Sequence, residues 1–152
     1  MNAIKLLVAD HKEVDRMFKE AETAPRSKKR DIFFKIKTTL EAHAWLEETI
    51  FYPTLQAESD KELIKLTAEA IQEHIGAKCF LGELAAVTTD PVKFDALFAK
   101  LVEDVRHHVR EEEGEMFPAV QNRFSADALD VLGAQMESEK KRFQSSAETI
   151  YG

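Results

Sequence analysis

The chain has a single cysteine, Cys79, among its 152 residues, so no disulfide can form within it. This cysteine usage is typical of a reducing compartment. No apolar run approaches the roughly 20 residues that cross a bilayer, and charge follows Met1 too soon for a secretory signal. A net charge of −7 argues against nonspecific nucleic-acid binding. We therefore expect one cytoplasmic domain over residues 1–152, with no membrane or nucleic-acid partner.

The hydrophobic pattern has a helical period along the whole chain. In the first segment Ile4, Leu7, Val14 and Phe18 recur at helical spacing, and no strand-like alternation is found anywhere. Five polar residues are candidate helix caps: Asn2, Ser27, Ser59, Asp90 and Ser125. The predicted fold is all-α: an up-down-up-down four-helix bundle over about residues 3–120 and an additional C-terminal helix over about 125–148.

Two prolines, Pro53 and Pro118, occupy equivalent places in the two halves of the predicted bundle. A proline in a helix interior removes a hydrogen bond and clashes with the preceding turn. We expect Pro53 to end or kink the second helix and Pro118 to close the fourth.

Six metal-capable side chains lie on helix stripes that should otherwise be apolar. They recur as one pattern in each half of the chain: His11 with His43-x-x-x-Glu47, then His74 with His108-x-x-x-Glu112. From the second histidine to a proline, the halves read HAWLEETIFYP and HVREEEGEMFP. This two-fold repeat predicts two helical hairpins related by a pseudo-dyad, with all six side chains at one level of the core.

Four imidazoles and two carboxylates suit two metal ions better than one. A His and a Glu four residues apart lie about 40° apart around a helix and one turn apart along it, so both reach one centre. If two ions share these six side chains, each ion receives two imidazoles and both carboxylates, which act as bridges. An oxo or hydroxo bridge would leave one position for a small diatomic molecule or peroxide. Nitrogen and oxygen donors without thiolate favour two iron ions per chain, with manganese or zinc a weaker fit.

The opposing interpretation is a set of core histidines satisfied by hydrogen bonds, together with solvated glutamates. His11, for instance, could pair with Asp15, one turn further on. Unpaired buried polar groups cost about 1–3 kcal/mol each. Nothing else on the stripes balances Glu47 and Glu112, so the six residues together favour the metal interpretation.

Residues beside the six leave some alternatives open. His107 points about 100° away from His108, so we expect it to be exposed or to support a ligand from outside. Glu48 and Glu113 either face solvent or accept hydrogen bonds from the ligands. Tyr52 and Phe117 are expected to pack near the prolines, with ligation by Tyr52 the less favoured alternative.

The six residues, the two proline segments and the dipeptide Glu73-His74 resemble the hemerythrin-like, HHE cation-binding domain over about residues 3–120. The resemblance implies a left-handed four-helix bundle with a non-haem, oxo-bridged di-iron centre. Lys78 stands where oxygen-carrying members have a second histidine on the third helix. The four-His, two-Glu set is closer to the centre of iron–sulfur-cluster-repair proteins, whose additional cysteine-containing domain this sequence does not show.

Three classes of function are compatible with these observations. The first is a di-iron protein that binds a small oxidant, namely oxygen, nitric oxide or peroxide, for sensing, storage or scavenging. The second is a di-iron enzyme with catalase-like, peroxidase-like or nitric oxide-reducing activity, or a role like that of the cluster-repair proteins. The third is a metal-free or zinc-bound helical interaction domain. The sequence specifies neither a protein partner nor an oligomeric state.

Overall fold

The computed structural model describes the backbone of residues 1–151 and the side chains of residues 1–145. This part of the chain is helical and contains no strand. Its elements, in chain order, are α1 (Ala3–Thr23), α2 (Arg26–Leu46), the π-helical segment π1 (Glu47–Phe51), α3 (Tyr52–Gln56), α4 (Lys61–Ala86), α5 (Pro91–Glu111), the π-helical segment π2 (Glu112–Met116), α6 (Phe117–Arg123) and α7 (Ala126–Tyr151).

The helices form two hairpins and one added helix. α1 packs on α2, α4 packs on α5, and α7 lies against both α1 and α2. Gly133 of α7 approaches the backbone of Met1 to Ala3, and Lys140 of α7 contacts Asp10, so α7 runs parallel to α1. The predicted all-α bundle with an additional C-terminal helix is confirmed.

Three of the predicted helix caps are confirmed. The Asn2 side chain accepts from the backbone N–H of Lys5 at 2.8 Å. Asp90 caps α5 in the same manner, and the Ser125 hydroxyl accepts from the N–H of the third residue after it, at the start of α7. Each side chain satisfies an N–H group that lacks a partner in the first helical turn.

The caps predicted at Ser27 and Ser59 are wrong. α2 begins at Arg26, directly after Pro25, and no side chain caps its first turn. At the start of α4 the cap is Asp60, whose carboxylate accepts from the N–H of Leu63 at 3.0 Å. Ser59 instead turns the chain with a φ of 56°.

The helices do not stop at Pro53 and Pro118, contrary to the expectation for Pro118 in particular. A wide turn precedes each proline: the N–H of Tyr52 donates to the carbonyl of Glu47, and the N–H of Phe117 donates to that of Glu112. The wide turn accommodates a residue without an N–H and keeps the helical path continuous into α3 and α6. Such π-turns are frequent at functional sites.

The apolar core is divided into two clusters by a polar layer. One cluster surrounds Phe51, Leu55 and Met136 near α3, α6 and α7. The other surrounds Phe18, Phe33 and Phe98 at the opposite end of the bundle. The buried polar and charged residues of the described chain are Asp10, His11, His43, Glu47, Thr67, His74, His108 and Glu112.

None of the helices in the described part of the chain combines the length and apolar character needed to span a bilayer.

Candidate metal centre

All six sequence-predicted ligands meet in the buried layer between the two apolar clusters. They come from α1, α2 with π1, α4, and α5 with π2, and each is at most 9% exposed. The residues are His11, His43, Glu47, His74, His108 and Glu112. A π-turn begins at each glutamate, so the two halves of the site have equivalent backbones.

Potential ligand atoms in the layer form two groups of three, each lying within 4.8 Å of one another. One group contains His11, His43 and Glu112, and the other contains Glu47, His74 and His108. The paired imidazole rings in the two groups have centroids 5.0 Å and 4.9 Å apart. The histidines therefore divide two and two between the hairpins.

Both carboxylates face both histidine pairs. Glu112 places Oε1 3.0 Å from His11 Nε2 and Oε2 3.3 Å from His108 Nε2. Glu47 Oε1 lies 3.0 Å from His43 Nε2 and 3.1 Å from His74 Nε2. This placement suits carboxylates that bridge two ions, whose usual separation is about 3.5–4 Å.

Five buried atoms in the layer have no hydrogen-bond partner: Nε2 of His11, His43 and His108, Oε2 of Glu47 and Oε1 of Glu112. Several lie about 3 Å from another polar atom, but the angles do not suit a hydrogen bond. Unsatisfied buried groups cost about 1–3 kcal/mol each. Imidazole nitrogens and carboxylate oxygens that converge without mutual hydrogen bonds fit a pair of transition-metal ions.

The opposite nitrogen of every histidine in the layer contacts a carboxylate from another helix. Nδ1 of His11 lies 2.7 Å from Glu113, and Nδ1 of His74 lies 2.8 Å from Glu48. These contacts decide the alternative left open by the sequence: both glutamates bind histidines. An Nδ1–H that donates to a carboxylate leaves Nε2 deprotonated for a metal and fixes the ring orientation.

The remaining two carboxylates each come from the residue before a histidine. Asp10, which precedes His11, lies 3.0 Å from Nδ1 of His43. Glu73, which precedes His74, lies 2.8 Å from Nδ1 of His108. The sequence reasoning did not assign these roles, although an acidic residue precedes the first histidine in both halves.

The family model of the hemerythrin HHE cation-binding domain matches residues 2–120. The chain belongs to this family. Membership and the two His/Glu groups together identify a metal-cation-binding domain. A crystal structure of an HHE cation-binding domain-containing protein from Mycobacterium kansasii has the same fold: the TM-score is 0.85 at 24% identity, over 98% of this chain and 91% of that one.

A DNA nickase of Nostoc sp. strain PCC 7120 is 27% identical over 148 residues. The match covers 95% of the HHE chain but only 40% of the nickase. The shared segment is therefore a minor part of that protein.

Carboxylates dominate the electrostatics of the HHE site in the absence of metal. Burial by itself would lower the pKa of His43, but Glu47, Asp10 and Glu112 outweigh burial and raise it to about 10. At His108, burial is likewise outweighed by Glu112, Glu47 and Glu73, and the pKa rises to about 12. Burial would raise the pKa of Glu47, but His43, Glu112 and His108 hold it well below the usual range.

The Tyr52 hydroxyl lies in the metal layer, although the sequence favoured packing near Pro53 over a role at the centre. The buried hydroxyl donates to Glu112 Oε2 at 2.5 Å and lies 3.4 Å from His74 Nε2. Burial, followed by the charges of Glu47 and Glu112, raises its pKa well above the ordinary value. The equivalent residue in the second half, Phe117, lies parallel to the His11 ring at a centroid distance of 6.0 Å.

A cavity of about 60 Å³ adjoins all four histidines inside the HHE bundle. Its other walls are mainly apolar and come from all four bundle helices, with Val14, Leu40, Leu81, Val105 and Val109 among them. The volume admits a diatomic molecule or peroxide. It is too small for most metabolites, whose pockets usually measure about 300–1,000 Å³.

Three neighbouring residues stay outside the centre. His107 is 56% exposed and pairs with Glu111 at 2.9 Å, in agreement with its expected outward position. Lys78, at the place of the additional histidine of oxygen carriers, donates to Glu48 at 2.8 Å. Asp15 pairs with Arg106 rather than with His11, so the simple pairing considered in the opposing interpretation is wrong.

Proposed function

We propose that this HHE domain is a non-haem di-iron protein that binds oxygen, nitric oxide or peroxide at a carboxylate-bridged centre, for sensing, storage or scavenging. One observation carries the proposal: five unpartnered, buried donor atoms converge beside a small and mainly apolar cavity. The imidazole nitrogens and carboxylate oxygens suit a pair of metal ions, and the cavity suits a small ligand.

The donor set supports iron as the metal. Four imidazoles and two carboxylates offer nitrogen and oxygen ligation without a thiolate, since Cys79 is exposed and away from the centre. The two-by-two division of the histidines supports two ions rather than one. A bound iron pair would supply reversible one-electron and two-electron redox chemistry at this place.

The chain's own residues provide orientation, exclusion of water and a proton. Carboxylates on Nδ1 hold each imidazole with Nε2 directed inward. Apolar walls disfavour water and charged solutes, whereas small neutral molecules enter without a large desolvation cost. The Tyr52 hydroxyl keeps its proton and donates a hydrogen bond to Glu112, which stabilises the negative charge of that carboxylate.

The test is an iron count per chain combined with absorption spectra of the reduced protein before and after exposure to oxygen and nitric oxide. We expect about two iron ions per chain and a new absorption band with at least one gas that reverses when the gas is removed. Protein that holds no iron, or iron-loaded protein whose spectrum is unchanged by both gases, would contradict the proposal.

A second candidate function is a di-iron enzyme that consumes peroxide or reduces nitric oxide. The Tyr52 hydroxyl favours it, because a proton donor hydrogen-bonded to the centre is what reduction of a bound oxidant requires. Sustained oxygen evolution from hydrogen peroxide, or sustained nitric oxide consumption with a reductant, would support the enzyme. Binding without turnover in either assay would favour the binding protein instead.

A further inference from the structure

The C-terminal helix reaches the metal centre through one lysine. Lys140 of α7 places Nζ 2.7 Å from Oδ1 of Asp10, a carboxylate that is 7% exposed. The other oxygen of Asp10, Oδ2, lies 3.0 Å from Nδ1 of His43. A continuous chain of hydrogen bonds therefore runs from α7 through α1 to an imidazole on α2.

The carboxylates on the other three histidines receive no contact from α7 among the described side chains. Glu48 pairs with Lys78 of α4, and Glu73 contacts His107 of α5. Glu113 is 39% exposed, so water can satisfy its remaining oxygen. Asp10 is too buried for water to satisfy its second oxygen. The ammonium group of Lys140 contacts that oxygen instead.

Close packing fixes the position from which Lys140 extends. A Cβ atom on Gly133 would lie 2.1 Å from the carbonyl oxygen of Met1, so the helices touch through backbone there. On the other side, the indole N–H of Trp45 donates to Glu139 at 3.1 Å, and its ring contacts that of Phe143. Lys140 lies between the contacts made by Gly133 and Phe143.

We propose that Lys140 is a positioning residue that couples the docking of α7 to the orientation of His43 and thereby to metal retention. The proposal rests on the metal centre of the proposed function. Lys140 holds one oxygen of Asp10 so that the other stays aligned with Nδ1 of His43. If α7 is displaced, Asp10 can rotate and the imidazole loses its fixed direction. The effect would fall on an ion held at His11 and His43 and would spare one held at His74 and His108.

The first experiment measures zinc release from the fully loaded full-length chain to excess chelator. In Lys140→Met, which keeps length and apolar contact but removes the donor, we expect one of two zinc ions to leave about 10–100-fold faster. Lys140→Arg should restore slow release. Lys141→Met, an exposed neighbour on the same helix, is the matched control and should behave as wild type. Equal acceleration for both ions, in proportion to lost stability in urea, would show a purely structural role and overturn the proposal.

A second measurement does not need metal and separates this inference from the proposed function. Nitrogen-15 NMR of the metal-free protein, with His43→Gln to assign the signal, reports exchange of the Nδ1 proton with water. We expect this proton to exchange at least tenfold faster in Lys140→Met than in wild type or Lys140→Arg. If wild-type protein binds no metal but this difference is present, only the proposed function fails. An unchanged exchange rate in Lys140→Met overturns the coupling itself.

Discussion

Filling the centre with metal should expel protons from it, and the number follows from the structure. The pKa values of His43 and His108 in the metal-free protein are raised to about 10 and about 12. Both imidazoles therefore carry an extra proton at pH 8, and both must lose it to bind metal. We expect at least two protons per chain on zinc loading, plus up to one more from an ionised bridging water. Two ordinary imidazoles of pKa about 6.5 would together release less than about 0.1 proton at that pH.

The assay is a calorimetric zinc titration at pH 8 in two buffers with different ionisation enthalpies, because the difference in heat gives the protons released. His107→Gln is the control, since this exposed residue lies outside the centre and should leave the number unchanged. Release of one proton or fewer per chain would refute the reasoning, because a bridging water alone could account for it.

The same shifts determine how stability depends on pH. A pKa raised by folding adds stability that is fully present below the unfolded value of about 6.5 and is lost as pH rises through the folded value. The metal-free protein should therefore lose stability from pH 7 towards pH 10, because folded His43 keeps a proton that the unfolded chain has already released. Metal binding needs neutral imidazoles and strengthens over the same interval. Thermal unfolding with and without zinc should thus show a gap in Tm that widens with pH, and a constant gap would contradict the raised pKa values.

Three further predictions concern single residues. His108→Ala should lose metal whereas His107→Ala retains it, as measured by a metal count per chain. Equal loss in both variants would mean that the inward-facing residues of this helix are assigned wrongly by one position. Tyr52→Phe should keep its metal content but lower any peroxide turnover by about 10²–10⁴-fold, measured as oxygen evolution, because it removes the proton donor. Gly133→Ala should destabilise the fold by about 1–3 kcal/mol in urea, because its Cβ meets N-terminal backbone. Gly82→Ala, with open space around it, should instead stabilise by about 0.5–1 kcal/mol, and similar effects of both substitutions would contradict the close α1–α7 packing.

The sequence was sufficient to predict the fold and the convergence of the six polar residues, because both depend on the phase of a regular helix. His43 and Glu47, for example, share a face at any α-helical spacing of four. Their burial together with His11 follows from packing the apolar stripes inward. Their role as ligands of iron stays a prediction for the metal measurements.

Contacts between helices could not be predicted in the same way. The contacts of Asp10 with His43 and of Glu73 with His108 depend on how far one helix is shifted along its neighbour. The pattern within a single helix does not specify that shift. The inward position of the Tyr52 side chain was not predicted for another reason. In an α-helix, a residue five positions after Glu47 points about 140° away from it. The π-turn absorbs one extra residue, so Tyr52 returns to the inner face of the bundle.

The two wide turns make the number of residues in these segments more important than the identity of the outward-facing ones. Thr49 and Glu115 are exposed and could be replaced with little consequence inside. Deleting either would restore ordinary winding and leave the rings of Tyr52 and Phe117 four residues after the glutamates, about 40° from them and still on the inner face. Pro53 or Pro118 would then lie inside an ordinary α-helix, where its ring clashes with the preceding turn, so the deletion should kink the helix at the proline. A residue missing from either segment should therefore change the path of the helix at the proline more than the placement of the rings around the metal layer.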